Sequence, residues 1–299
     1  MATAVEQRSV GRTDESNRPP TFYLIAVLRY GFLILISLVA FLPFILSFLG
    51  TFKTNAELTA FPPAFLPQQW QWDNWVRVWN FSLPTLQNAV PRWIWNSLFT
   101  AVLITVITVV ISALAGYAFS RIDFTGRKVL FAVIIGSIII PPQILLVPLF
   151  RQMLAFGMVD SYAGIVLPQV IAPAMVFILK KFFDAVPLEL EEAARVDGAN
   201  RLRVFLQVVL PLSRPILAAV SIFVFIGAWN NFLWPFIVIN DASLMTLPVG
   251  LQTVKSAYGI QYAQNMASAI LAALPLIIVF LFFQRQIIKG VSTTGLAGQ

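Results

Sequence analysis

The sequence contains neither cysteine nor histidine among its 299 residues. Without thiols there are no disulfides, no thiolate zinc sites and no cysteine nucleophile. Without imidazole there is no Ser-His-Asp triad and no histidine-ligated metal. Charge is scarce as well: 11% of the residues are Asp, Glu, Lys or Arg, against roughly 25% in an ordinary soluble domain. Apolar residues fill the space, with 59% of the chain hydrophobic and a mean hydropathy of +0.82. That leaves too little polar surface to cover a soluble body, so soluble enzymes, disordered proteins and DNA-binding domains are excluded. No phosphate loop is present. The nearest string, Gly126-Arg127-Lys128, lacks both the glycine spacing and the hydroxyl residue.

A helix needs roughly 20 apolar residues to cross about 30 Å of hydrocarbon. Six runs qualify: Leu24 to Leu49, Trp95 to Phe119, Val129 to Phe150, Ala163 to Phe183, Ile216 to Ile239 and Ala267 to Phe283. The expected fold is an all-α membrane protein of six transmembrane helices. None of the six runs holds an Asp or Glu, and the third and fifth carry prolines (Pro141, Pro142, Pro148; Pro235). Residues 1–20 are polar and end in Pro19-Pro20, reading as a disordered tail. The run from Leu24 lacks a cleavage site and reads as a retained span. With the N-terminus inside, fifteen of the 20 Lys and Arg fall on the cytoplasmic side and five outside. This bias places both termini in the cytoplasm and accounts for the net charge of +7 without nucleic acid.

The connections differ in character. The first outer loop, Gly50 to Ile94, holds Trp70, Trp72, Trp75, Trp79 and Trp93. It reads either as an aromatic belt at the headgroups or as a rigid platform for an external partner. Asn240 to Gln264 is a second outer loop able to make such contact. Within the runs, Gln143, Gln169, Asn230 and Asn231 are the main long polar side chains. Each can hydrogen-bond between helices, or together they can line a path for hydroxylated solutes, with Trp229 stacking on a sugar ring. Ser112, Gly116 and Ser120, four apart, present small residues on one helix face for close packing.

Between the fourth and fifth runs lies a charged segment, residues 187–211. Pro187 suits the start of a helix, and Glu189, Glu191 and Glu192 crowd its first turns, where the macrodipole favours anions. Asp197-Gly198 ends that helix, with Gly198 able to take the left-handed cap conformation. Asn200 suits the N-cap of a second short helix running toward Val209. The spacing Glu192-Ala193-Ala194, three residues, Gly198, nine residues, Val208, one residue, Leu210-Pro211 resembles the EAA signature of ABC importer permeases. Asp197-Gly198-Ala199, Phe205 and Pro211 resemble its sugar-importer branch. Ala228-Trp229-Asn230-Asn231-Phe232 is similar to a Trp-Asn-acid-Phe run of that family, with Asn231 in the acidic place. The segment from Phe283 to Gln299 looks like the tail of the second permease of maltose-type importers.

The resemblance implies a permease domain over 24–289, with a core at about 92–285, a coupling helix-turn-helix at 187–211 and a cytoplasmic tail at 290–299. It implies that Glu192 makes a charged contact with an ATP-hydrolysing subunit, that Ala193 and Ala194 permit close approach, and that Gly198 sets the turn. The implied partners are a second homologous permease, two ATPase subunits and an extracytoplasmic solute-binding protein. ATP and Mg would sit on the ATPase subunits, with no cofactor on this chain. The expected cargo is a carbohydrate or polyol-type solute. Amino-acid or peptide import is the nearest alternative by the same mechanism. A secondary transporter or channel is the alternative of another class. Six runs without Asp, Glu or His argue against proton coupling, whereas sodium held by carbonyls at Pro141-Pro142 stays open.

Overall fold

Proline removes a backbone donor and marks where an apolar run can break, although Pro43 and Pro275 are carried inside continuous helices. The computed structural model describes the backbone of residues 20–258 and 261–296 and the side chains of residues 23–254 and 261–284. The polar segment before Pro20 lies outside the described residues, as do residues 297–299 of the tail. Three helices are long and apolar enough to cross a bilayer unaided: α1 (Pro20–Gly50), α4 (Ala89–Arg121) and α15 (Tyr262–Leu296). Between α1 and α4 lie the short helices α2 (Asn55–Thr59) and α3 (Asp73–Trp79). No β-strand is present among the described residues; a single isolated bridge joins Leu83 and Leu86.

The other three runs are broken. The third divides into α5 (Arg127–Ser137) and a bent partner made of a 3-10 turn (Pro142–Leu145) and α6 (Leu146–Ala155), at 95° to it. Pro141 and Pro142 lack N–H donors, and each pushes the residue before it out of the helical region; Pro141 itself is extended. The fourth run divides into α7 (Tyr162–Val166) with its 3-10 extension to Gln169, and α8 (Pro173–Asp184), bent by 48°. Pro173 forces Ala172 out of the helical region. The fifth run is α12 (Arg214–Trp229) and the separate α13 (Leu233–Val238), with Asn230-Asn231-Phe232 between them. Up to six spans result when three bent pairs each count as one, the third being Arg201–Leu212 with Arg214–Trp229 rather than α12 with α13.

The segment between α8 and α12 contains α9 (Leu188–Val196), α10 (Arg201–Val204), a π turn (Phe205–Val209) and α11 (Leu210–Leu212), which meets α12 at an 80° bend. Beyond α13, α14 (Leu247–Tyr258) leads to α15.

α4 is the post around which these pieces are arranged. On its small-residue face, a Cβ at Gly116 would stand 3.0 Å from the backbone nitrogen of Lys180, so α8 approaches as closely as a glycine allows. Ser112 is buried on that face, and Ser120 Oγ donates to Asp184 Oδ1 at 2.7 Å. At one end of α4, Trp93 packs with Val90, Trp229, Leu247 and Val254. At the other, Tyr117 packs with Leu179, Phe183, Val204, Phe205 and Val209. The side chains of α1 are exposed along nearly its whole length, the apolar face expected against lipid.

Trp93 belongs to α4 and is completely buried, so it is no member of an exposed aromatic loop. Trp70, Trp72 and Trp79 remain exposed, and Trp70 stacks on Trp72 at 6.4 Å between ring centres. The loop after α13 is tied to α4 by five hydrogen bonds, one of them from Arg92 Nε to the Ser243 carbonyl at 3.3 Å. Trp93 Nε1 donates to the Ala242 carbonyl at 2.8 Å, Asn96 Nδ2 donates to the carbonyls of Ser243 and Met245 at 2.9 Å each, and the Leu247 N–H donates to Ser97 Oγ at 2.7 Å. Asp160, in the left-handed region with φ +56°, accepts from the N–H groups of Asn240 and Asp241 on the same loop. Partial burial pushes the Asp160 carboxyl up, but these donors outweigh it and hold it below its usual value.

α14 crosses Trp93 through Gly250, where a Cβ would overlap the indole ring. Gly250→Ala is expected to destabilise the protein by about 1–3 kcal/mol through overpacking. Thermal unfolding of the purified protein in detergent checks this: a lowered midpoint is expected, and an unchanged one contradicts the packing.

Candidate functional site

The helix-turn-helix of residues 187–211 forms as its residue types dictate. α9 starts after Pro187 and ends in a complete Schellman cap. The N–H of Gly198 bonds to the Arg195 carbonyl and that of Ala199 to the Ala194 carbonyl, both at 3.0 Å. Gly198 has φ +84°, which only glycine, and to a lesser degree Asn or Asp, adopts cheaply. Asn200 then caps α10, its side-chain oxygen accepting from the Arg203 N–H at 2.9 Å. Phe205 and Val209 drop into the aromatic cluster beneath, where Phe205 lies 4.8 Å from the Tyr117 ring.

This geometry divides the segment into two faces. Glu192, Ala193, Asp197 and Gly198 are exposed, Ala194 is half-buried and packs on the cluster, and Pro211 is half-buried near the bend into α12. Leu188, Leu190, Leu202 and Leu206 are exposed beside them, and Val196 is 88% exposed. The outer face is therefore a mixed apolar and acidic ridge. The inner face holds an acidic residue to which the sequence had assigned nothing beyond the macrodipole of its helix. Glu191 is completely buried, and Arg121 Nε meets its Oε1 at 2.6 Å. Tyr117 OH donates to Oε2 at 3.2 Å, and Arg195 Nη2 lies 3.7 Å from the same oxygen. Arg121 also donates through Nη2 to the Val186 carbonyl at 2.5 Å. Removing one member of a buried, hydrogen-bonded ion pair costs about 3–5 kcal/mol, because the other is left uncompensated. The sequence did carry a signal: Glu191 lies one turn before Arg195, and Arg121 ends a long run otherwise free of acids and bases after Arg92.

The polar residues of the broken runs are brought together in part. Asn231 Nδ2 donates to Gln169 Oε1 at 2.5 Å, and Gln169 Nε2 donates to the Ile165 carbonyl at 2.8 Å. Two helix breaks thus meet through one amide pair. A carboxylate at 231 could not make this donation, so Asn231 suits its neighbour. No hydrogen bond joins Gln143 or Asn230 to that pair among the described residues, and both are exposed. Trp229 is placed differently from the expectation. Its indole is buried between α12 and α15, donates to the Ala272 carbonyl at 3.1 Å and stacks on Phe225. No open ring face is left there for a sugar.

The description "binding-protein-dependent transport system inner membrane component" belongs to the family model that matches residues 108–293, and the chain is a member of that family. It is thus a transport permease of a prokaryotic membrane rather than an enzyme, and the secondary-transporter alternative falls away. The chain is 31% identical over 281 residues to the arabinooligosaccharides transport system permease AraQ of Bacillus subtilis, covering 93% of this chain and 98% of that one. It is 33% identical over 269 residues to the trehalose/maltose transport system permease MalG of Thermococcus litoralis, covering 89% and 95%. Its fold is similar to a subunit of a bacterial ABC transporter that imports the acidic polysaccharide alginate, with TM-score 0.76 and 21% identity over 90% of this chain and 98% of that one.

A Cβ at Gly198 meets nothing within 4 Å, so only backbone conformation restricts that position. Gly198→Val is expected to loosen the turn and speed tryptic cleavage at the flanking Arg195 and Arg201, whereas Gly198→Asn, which tolerates the left-handed region, is expected to leave the rate near wild type. Equal cleavage of the Val variant and the parent contradicts the cap.

Proposed function

We propose that this chain is one of the transmembrane subunits of an ATP-driven, binding-protein-dependent importer of a carbohydrate or polyol-type solute. The observation that carries the reading is the exposed ridge of α9 and its turn, which presents Glu192, Ala193, Asp197 and Gly198 outward on a capped, anchored support. The ridge is a coupling helix for a separate ATPase. Its exposed leucines and Val196 supply apolar contact, and Glu192 supplies a charge for a basic partner residue. The carbohydrate class rests on relatives named for arabino-oligosaccharides and for trehalose and maltose.

In this reading the chain crosses the membrane six times, with α12 and α13 together as the fifth crossing and both termini and the ridge in the cytoplasm, as the distribution of Lys and Arg favours. A second, homologous permease completes the pathway, two ATPase subunits hold ATP and Mg, and an extracytoplasmic binding protein delivers solute to the opposite face. ATP binding closes the ATPase pair and draws the coupling helices together, opening the path outward. Hydrolysis and release reset the inward-open state. Solute biases these states only through unequal affinity for them. The meeting of two helix breaks at Gln169 and Asn231 supports a path there, because irregular backbone at membrane depth is stable where it is buried in protein or lines a cavity. Asn230 and Gln143 are exposed polar groups available to hydroxylated solutes.

Glu192→Lys is expected to abolish solute uptake by cells carrying the whole transport system while leaving the amount of membrane-inserted protein unchanged, since the side chain is exposed and makes no internal contact that folding needs. Wild-type uptake by this variant contradicts the docking role.

A further inference from the structure

We infer that Arg121, Tyr117 and Glu191 are positioning residues forming a rigid joint between α9 and the end of α4, through which movement of the ridge reaches the membrane-spanning helices. The inference rests on the coupling role proposed for α9 and identifies how that role is transmitted. One guanidinium holds α9 at two points: Nη2 grips the Val186 carbonyl just before the helix, and Nε grips Glu191 Oε1 in its first turn. Tyr117, one turn earlier on α4, donates to the other oxygen of the same carboxylate. Two contacts from a planar fork and a third from a neighbouring turn fix α9 in rotation as well as in position. A few residues away, Asp184 at the end of α8 accepts from Ser120 of α4 and pairs with Lys180 at 2.6 Å, so α4, α8 and α9 are fastened within one turn of each other.

Stability alone does not call for such an arrangement. The cluster beneath α9 is already apolar and aromatic, and a well-packed apolar pair in place of a buried ion pair is often equally stable. What the ion pair supplies is a defined geometry that an apolar contact, free to slide, lacks. α12, by contrast, follows α11 across an 80° bend at Ser213 and meets the segment through the apolar cluster, with Ile216 and Val220 beside Phe205 and Val209. Force applied to α9 therefore reaches α4 through side chains, not through the chain connection alone.

The absence of cysteine gives a clean background for the test. The whole complex is reconstituted in proteoliposomes with Asn230→Cys as the sole thiol of this chain, and the reaction of this chain, separated from its partners after labelling, with a membrane-impermeant maleimide is followed without nucleotide and after trapping with ATP and vanadate. In the parent the labelling rate is expected to change about fivefold or more on trapping, the range of ordinary coupling between sites. Glu191→Gln and the apolar pair Arg121→Met/Glu191→Leu are expected to retain the ATPase subunits and to hydrolyse ATP, yet to lose that response. The reversed pair Arg121→Glu/Glu191→Arg is expected to restore part of it. An apolar-pair complex that assembles and responds like the parent overturns the joint alone. A parent complex whose thiol is indifferent to nucleotide overturns the coupling reading and the joint together.

Discussion

A carboxylate sealed from solvent at the foot of a membrane helix requires a partner, and Glu191 has three. Arg121 and Tyr117 come from α4, and Arg195 comes from the next turn of α9 itself. The arrangement settles where the charged segment between α8 and α12 can lie. With Glu191 drawn inward, helical spacing turns Ala194 onto the aromatic cluster and leaves Glu192 and Val196 facing out. The acidic residues of α9 thus have unlike situations: Glu191 is an internal anchor and Glu192 an exposed side chain.

The second constraint comes from proline. Pro141-Pro142 and Pro173 interrupt two of the apolar runs where a continuous helix would otherwise cross, and Asn230-Asn231 ends a third. Backbone groups freed at such breaks need partners inside the protein. Gln169 serves one of them directly by donating to the Ile165 carbonyl, and Asn231 Oδ1 accepts from the Trp234 N–H at 3.4 Å. The breaks at Gln169 and Asn231 meet beside α4, whose own helix runs unbroken over 33 residues. A rigid post surrounded by jointed helices suits a protein that must alternate between two openings.

The class of fold and the elbow were legible in the sequence because both rest on local rules. Apolar run length gives helices that suit a bilayer, and Asp197-Gly198 followed by Asn200 gives a cap, a turn and a second cap, all seen in the structure. What was not legible depends on which side chain faces which neighbour. Trp93 and Trp229 look like aromatic residues available to a partner or a sugar, yet both are locked in one cluster, one beneath Gly250 and the other against α15. Glu191 and Glu192 are adjacent and chemically identical, so only the position of Arg121, 70 residues away, distinguishes them. Pro141 and Pro142 of the third run were visible in the sequence, but the 95° angle between its two halves was not.

The account stands on the ridge of α9 facing the compartment that holds ATP. The most direct measurement is reaction of a single Val196→Cys with a membrane-impermeant maleimide, in intact cells and in cells opened to the reagent. The cysteine-free background and the 88% exposure of Val196 make the thiol both unique and reactive. The account predicts no labelling until the cells are opened, and protection when the ATPase subunits are bound. Labelling of intact cells contradicts it.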